Sequence, residues 1–172
     1  ISFAEADNSI VVGHSTLPAS GASKNTALGV QALDALTSGD ENIAIGSTAG
    51  TSITEGTGNV CIGSTAGSAI TTADSNIAIG KGTLQSEDTS SSPSVAIGRD
   101  ALGAQNGGGH NVAIGHEAGR RVTSGTNNVA LGKGALTVLV GGTDNIAIGT
   151  DALATEDATS SNIAIGTDAL KL

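Results

Sequence analysis

The feature that most constrains this chain is a pentapeptide, Asn-Ile-Ala-Ile-Gly, which returns in register along nearly the whole sequence. It is complete at 42–46, 76–80, 145–149 and 162–166, and relaxed variants fill the intervals. Neighbouring copies are 16 to 18 residues apart, most often 17. A fixed period of this size indicates a repeat architecture, in which each unit is stable only when stacked on its neighbours. The ten repeats, of which the last is incomplete, begin at Ser9, Asn25, Asn42, Asn59, Asn76, Ser94, Asn111, Asn128, Asn145 and Asn162.

We number the positions within each repeat as columns, and columns two to four predict a short strand. Column two is β-branched in every copy, column three is small, and column four is Val, Leu or Ile. Such residues favour strands, in which successive side chains point to opposite faces. Columns two and four therefore share one face, which we expect to be buried. Column three, mostly Ala, faces the other way and should pack against a close neighbour.

The remaining columns predict how each coil turns. Column five is Gly in all ten copies and marks a corner, because Gly tolerates strained backbone. Columns eight and nine, as in Ala101-Leu102, predict a return strand. From column ten onward the sequence is rich in Gly, Ser, Thr, Asp and Asn, which predicts loops. Column one is Asn in eight copies, and stacking predicts a ladder of side-chain amides.

The predicted fold is an all-β parallel β-solenoid of about ten coils, because the pentapeptide has no helical period. Residues 1–8 form an atypical lead-in that could cover the N-terminal edge, and residues 9–172 form the repeat domain. At about 4.8 Å per coil the stack should be a rod of roughly 45–50 Å.

Association of chains is expected because the core is thin. Phe3 is the single aromatic residue, and small scaffolds with little buried area usually need oligomerisation. We expect a parallel homotrimer, with the Ala face or the Leu-bearing return face around the threefold axis. A monomeric solenoid is the alternative.

The charge balance narrows the range of partners. Seven basic and sixteen acidic residues give a formal net charge of −9, which argues against nucleic acid as a partner. No apolar run is long enough to cross a membrane. Cys61, the single cysteine, is expected to be a small buried residue. Because the sequence begins without Met and ends partway through a repeat, we expect it to be a piece of a longer protein.

The residue types that carry catalysis and metal binding form no convincing site. Of the histidines, His14 and His116 both occupy column six but are six coils apart, whereas His110 and His116 could face one site with Glu117. No acid recurs at a fixed offset from a His, so we predict no catalytic, cofactor or metal site and no enzyme. Weak calcium binding by loop carboxylates stays open; the candidates are Asp40-Glu41, Glu87-Asp88, Asp144, Asp151, Glu156-Asp157 and Asp168.

The runs 42–50 and 145–153 resemble the head repeats of trimeric autotransporter adhesins, and more closely the repeats of phage tail fibres. The resemblance covers residues 9 to 172, although its 17-residue spacing exceeds that of adhesin heads. It implies a left-handed parallel β-roll, three chains to a fibre, and attachment to a host surface. It also implies an extracellular location, on a virion tail fibre or a bacterial cell surface.

We therefore expect a structural or adhesive fibre segment, the shaft of a viral tail fibre or surface adhesin. A host cell-surface receptor would be engaged through other domains, since this segment lacks aromatic anchors and has one conspicuous basic pair, Arg120-Arg121. The alternatives are a self-assembling extracellular filament or matrix protein and an ice-binding solenoid. The last is disfavoured because the threonines do not keep one column; those considered are Thr48, Thr65, Thr71, Thr72 and Thr123.

Overall fold

The computed structural model of the chain describes residues 2–4, 9–13, 21–86, 93–154 and 160–171, and these form a parallel β-solenoid. Their strands make a single eleven-stranded sheet in which the spatial order equals the sequence order. Ten of the strands fall on columns two to four of the ten repeats. The strands are β1 Ser2–Ala4, β2 Ser9–Val12, β3 Thr26–Leu28, β4 Ile43–Ile45, β5 Val60–Ile62, β6 Ile77–Ile79, β7 Val95–Ile97, β8 Val112–Ile114, β9 Val129–Leu131, β10 Ile146–Ile148 and β11 Ile163–Ile165.

Pairing follows the repeat register without slippage. From β2 to β11 every neighbouring pair is parallel, so that each column stacks on itself, as Ala78 does on Ala96. The exception is β1, which pairs antiparallel with β2 and places Phe3 opposite Ile10. The predicted β-solenoid is confirmed, and the lead-in does cover the N-terminal edge with its backbone.

The predicted orientation of the strands is wrong. Column three points into the solenoid: Ala44, Ala78 and Ala96 are fully buried. Columns two and four point outward, and Ile43 and Ile114 remain 38% and 36% exposed. The reason is width, because a coil of about seventeen residues encloses an interior so narrow that the strand contributes only one small side chain to it.

The side of the core that the strand does not form is formed by turn residues, and not by the predicted return strand. Columns eight and nine lie in turns in every described coil, although their side chains are buried inside the stack, as at Ala101 and Leu102, and become exposed only in the last coil, at Leu170. The described residues from column ten onward lie in turns and loops as predicted, apart from an isolated bridge at Ile70, but one of these columns enters the core. Column twelve is buried in each coil where it is described, at Leu36, Ile53, Ile70, Gln105, Val122 and Leu139.

The side chains of columns nine and twelve share one region of the core, and the residue type in one column goes with the residue type in the other. Where column nine is Gly50, column twelve is Ile53, and a Cβ added to Gly50 would lie 2.9 Å from Ile53 Cδ1. Where column nine is Leu33 or Leu136, column twelve is Leu36 or Leu139. Leucine, unlike Ile, is not branched at Cβ and so leaves room for the second side chain, and the core stays filled through complementary choices.

The corner predicted at column five is confirmed, and close approach is its cause. Gly98 has φ of +120°, and a Cβ there would lie 2.5 Å from the carbonyl oxygen of Gly115 in the next coil. Left-handed backbone also occurs at columns seven, nine and seventeen, where non-glycine residues such as Asp100 (φ +58°) and Leu102 (φ +47°) adopt it. The coil therefore turns at several points besides its Gly corner.

The predicted Asn ladder is confirmed as a buried network. Asn59 Oδ1 accepts the backbone N–H of Asn76 at 2.9 Å and its Nδ2 at 3.2 Å. Asn59 Nδ2 donates to the carbonyl of Ala73 in column fifteen at 2.8 Å. Each amide thus ties its own strand to the next coil and to the far side of its own coil.

Threonine does keep one column over part of the stack, contrary to expectation. Thr37, Thr54 and Thr71 occupy column thirteen of three consecutive coils. The Thr37 hydroxyl donates to the Thr54 carbonyl at 2.9 Å, and the Thr54 hydroxyl to the Thr71 carbonyl at 3.3 Å. These hydroxyl protons are used inside the chain, so the row is part of the scaffold.

Candidate functional site

One outer face of the solenoid is an apolar strip. It consists of columns two and four of the parallel strands, which are side by side through the whole sheet. Ile10, Leu28 and Leu131 are 47%, 45% and 42% exposed, and the strip is most open on the edge strand at Ile163 and Ile165. We call these side chains the outer aliphatic face. Extended apolar surfaces of this kind are typical of interaction sites.

A second surface feature is a row of basic side chains just after the Gly corner. Column six is Lys81, Arg99, His116 and Lys133 in four consecutive coils. Arg120 and Arg121 come from columns ten and eleven of one of these coils. We call these six residues the basic corner. The Arg pair and the column-six position of His116 are apparent in the sequence, and reading that column down the repeats would have revealed the whole row.

Two carboxylates lie within the basic corner. Asp100 and Glu117 occupy column seven in adjacent coils. Arg99 Nε is 3.0 Å from Asp100 Oδ2, and Arg120 Nη1 is 3.3 Å from Glu117 Oε1. An open depression of about 470 Å³ lies beside them, with Gln85, Asp100, Arg120 and Arg121 on its walls.

The association of His110, His116 and Glu117 that the sequence left open is not formed. His116 and Glu117 instead lie with Asp100, and one ligand atom of each is within 4.8 Å of the others. Such a set could in principle coordinate a metal ion. The carboxylates are already paired with Arg99 and Arg120, and a cation would have to displace or oppose these guanidinium groups. We interpret the cluster as an ion-paired network. His14 lies outside the described residues.

The loop carboxylates considered for calcium are engaged by the chain itself. Asp40 accepts the backbone N–H of Ser23 at 2.6 Å and its hydroxyl at 2.9 Å, and these bonds lower the pKa of the Asp40 carboxyl. Lys24 pairs with Glu41 at 2.9 Å. The candidates at 87–88 and 156–157 lie outside the described residues.

The last two described coils show how stacked carboxylates are balanced. Asp151 and Asp168 follow each other in column seven, and Lys171 Nζ lies 3.1 Å and 2.9 Å from them. Asp144 accepts Asn127 Nδ2 at 3.1 Å. In the described part of the chain, the single group of three His, Cys, Asp or Glu side chains close enough to share an ion is the one at Asp100.

Cys61 is a core residue, as predicted. It takes the place of Ala in column three and is fully buried. Burial raises the pKa of its thiol to about 12. A Cβ at Gly67 would lie 2.4 Å from Cys61 Sγ, so that glycine makes room for the sulfur. A protonated, inaccessible thiol is a poor nucleophile and metal ligand.

Comparison of the chain with protein-family models, with curated proteins and with solved structures finds no match. Across the described ranges, no helix has the length and apolarity that spanning a bilayer requires.

Proposed function

We propose that this chain is a rigid shaft segment of an extracellular fibre, a viral tail fibre or a surface adhesin, that supports attachment to a host surface. The observation that carries the proposal is the outer aliphatic face, which runs through all ten parallel strands. A stack of uniform parallel coils has no hinge between its units, and its length grows with the number of repeats. Such a body is suited to holding other domains at a distance.

The proposal includes a parallel homotrimer in which the outer aliphatic face surrounds the threefold axis. The two faces first considered for this contact are excluded, since the Ala column and the column-nine leucines inside the stack are buried within one chain, as Ala96 and Leu136 illustrate. Around a threefold axis each chain meets two others. Columns two and four are separated by one residue, so the side chains of column two can contact one neighbouring chain and those of column four can contact the other.

Burial of this face supplies a driving force for association. Ile and Val side chains removed from water contribute roughly 25 cal/mol per Å² of apolar area. The strip is about 45 Å long if each coil rises about 4.8 Å. Parallel, in-register chains would also bring identical aliphatic rows together, which favours close packing.

The mass of the folded segment in solution tests this proposal. Light scattering should give three times the chain mass of 16.5 kDa, about 50 kDa. A mass of 16.5 kDa over a wide concentration range would contradict the trimer.

A further inference from the structure

The basic residues of this acidic chain are concentrated in one part of the stack. Five of the seven Lys and Arg residues lie between residues 76 and 142, all of them in the basic corner. The rest of the chain holds two basic residues against twelve acidic ones. The potential along the solenoid is therefore uneven, with one surface able to attract anions from solution.

The column-six residues of the basic corner form a regular ladder because their backbones are hydrogen-bonded from coil to coil. Asp100 N donates to the Lys81 carbonyl and Glu117 N to the Arg99 carbonyl, both at 2.9 Å, and Gly134 N donates to the His116 carbonyl at 3.0 Å. Each step along the ladder equals the spacing of paired strands, about 4.8 Å. The basic side chains of the ladder therefore extend from one line along the stack at a constant interval.

Half of the basic corner is free to bind an external anion. Lys81, Arg121 and Lys133 are exposed, and none of them forms an ion pair with another described residue. Arg99 and Arg120 are partly neutralised by their carboxylate partners. The local surface thus combines free cations with carboxylate oxygens that can accept hydrogen bonds.

We infer that the basic corner binds an acidic polysaccharide, a linear chain of sugars that carries carboxylate or sulfate groups at regular intervals. The ladder step is comparable with the length of one sugar ring, and the two unpaired members of the ladder, Lys81 and Lys133, are three steps or about 14 Å apart, so that anionic groups three sugars apart can meet both cations. Asp100 and Glu117 can accept hydrogen bonds from sugar hydroxyls, and the depression beside Arg120 and Arg121 can receive a ring. Charge-assisted bonds from Arg and Lys to carboxylate or sulfate are the strong contacts of such a complex.

Nucleic acid is the less favoured polyanion. Binding of single strands depends on aromatic side chains on which bases stack, and the described residues of this surface include none. The two carboxylates of the corner and the acidic remainder of the chain would repel a densely charged phosphate backbone. A polysaccharide with more widely spaced charges and many hydroxyls fits this mixed surface better.

The experiment measures binding of the whole chain to polygalacturonate at low salt, with neutral dextran and duplex DNA as comparison ligands. The test variant is Lys81→Ser/Lys133→Ser, since Ser47 and Ser64 already occupy column six in other coils. The matched control, Lys24→Ser/Lys171→Ser, removes the same charge outside the corner. We expect the test variant to bind about tenfold more weakly, from two- to fivefold per exposed cation, and the control to change less than twofold.

Binding of polygalacturonate that weakens in the test variant and with added salt would support the inference. Equal weakening in both variants, no binding at low salt, equal binding of dextran, or tighter binding of DNA would each overturn it. The inference does not rest on the fibre proposal. Particle mass, measured on the same samples, reports on the trimer separately.

Discussion

Asn25 Oδ1 accepts two hydrogen bonds from Asn42, one from its backbone N–H at 2.9 Å and one from its side-chain Nδ2 at 3.2 Å. Both residues are buried. The same two bonds recur coil after coil where Asn follows Asn, as between Asn128 and Asn145. The amide ladder is thus a buried hydrogen-bond network in which each member satisfies the next, and such networks are costly to interrupt.

Removal of one amide should destabilise the stack. Asn59→Ala leaves the Asn76 N–H and the Ala73 carbonyl without their buried partners. We expect the free energy of unfolding to fall by about 3 kcal/mol, since each orphaned group costs about 1–3 kcal/mol. Urea denaturation measures this. Asn106→Ala, at an exposed position, is the control and should change stability by less than about 0.5 kcal/mol. Equal effects would contradict the structural role of the ladder.

At Ser94 the amide ladder lacks its Asn side chain, and Ser is too short to make the same hydrogen bonds. A side chain from another column makes up for the missing amide. Gln105 occupies column twelve, where the five other coils in which that column is described have Leu, Ile or Val, and is fully buried. Gln105 Nε2 lies 3.2 Å from Ser94 Oγ, and Gln105 Oε1 accepts Asn111 Nδ2 at 3.1 Å. The Gln side chain thus supplies, from the opposite wall, the amide that Ser94 lacks.

A double-mutant cycle tests this compensation. Gln105→Leu alone should cost about 1–2 kcal/mol by removing buried hydrogen bonds, and Ser94→Asn alone should overpack the core. The double variant restores the Asn and Leu combination of other coils and should recover most of the loss, with a coupling energy of at least about 1 kcal/mol. Additive effects in thermal or chemical denaturation would show that the two positions are independent.

The strands, the Gly corner and the amide ladder could be predicted from the sequence because each depends on local chemistry repeated in every copy. The inward face could not be predicted, since alternation assigns Ala44 and Ile45 to opposite faces without saying which is inside. That choice depends on the width of the closed coil, a property of the whole turn. Column twelve was missed because polar residues interrupt it in four repeats, at Ser20, Glu87, Gln105 and Glu156. The role of Gln105 is apparent only beside Ser94.

The candidate sites were less predictable for a related reason. His116 was considered with His110, but the residue that reaches it is Asp100 from the preceding coil. The row in column six could have been read from the repeat register, but which side chains of neighbouring coils meet depends on their positions in the folded stack. The exposed aliphatic face likewise followed from the corrected strand orientation.

Substitution at the Gly corner should be more harmful than backbone strain alone explains. Gly98→Ala would place a Cβ 2.5 Å from the Gly115 carbonyl oxygen, at φ of +120°. Gly107 also has positive φ, +81°, but nothing lies within 4 Å of its added Cβ. We expect Gly107→Ala to cost about 1 kcal/mol from strain and Gly98→Ala to cost at least about 3 kcal/mol from strain and clash. Chemical denaturation of both variants checks the difference, and equal losses would contradict it.

Cys61 should make stability fall at alkaline pH. Its folded pKa of about 12 lies above the unfolded value of about 8.5. The thiol of the unfolded chain therefore loses its proton at a lower pH than the thiol of the folded chain. The stabilisation that follows from the buried, protonated thiol is complete below about pH 8.5 and is lost as pH rises towards 12. Between pH 7.5 and 10 the loss should be about 2 kcal/mol.

The variant Cys61→Ala isolates this contribution, because Ala is the usual residue of column three. Its unfolding free energy should not show the Cys-dependent fall of about 2 kcal/mol, so the two proteins should converge or cross as pH rises. Urea denaturation at several pH values measures this. A constant difference between them from pH 7.5 to 10 would show that the thiol ionises equally in both states.

The outer aliphatic face should hold the proposed trimer together, and charges placed on it should separate the chains without unfolding them. Ile62 and Ile114 are in column four of two coils, pointing out of the core. Ile62→Asp/Ile114→Asp should reduce the mass from about 50 kDa to the chain mass of 16.5 kDa, since carboxylates buried against aliphatic neighbours lose their hydration. The strand signal in circular dichroism should be retained.

The matched control for this face is Thr72→Asp/Ser124→Asp, which adds the same charge to the same two coils at exposed positions in column fourteen. This control should keep the mass of the parent protein. If both variants dissociate alike, repulsion by net charge explains the result and the face has no special role. If the face variant keeps the parent mass, the chains associate through another surface, because two buried carboxylates in each of three subunits could not be accommodated without loss of affinity.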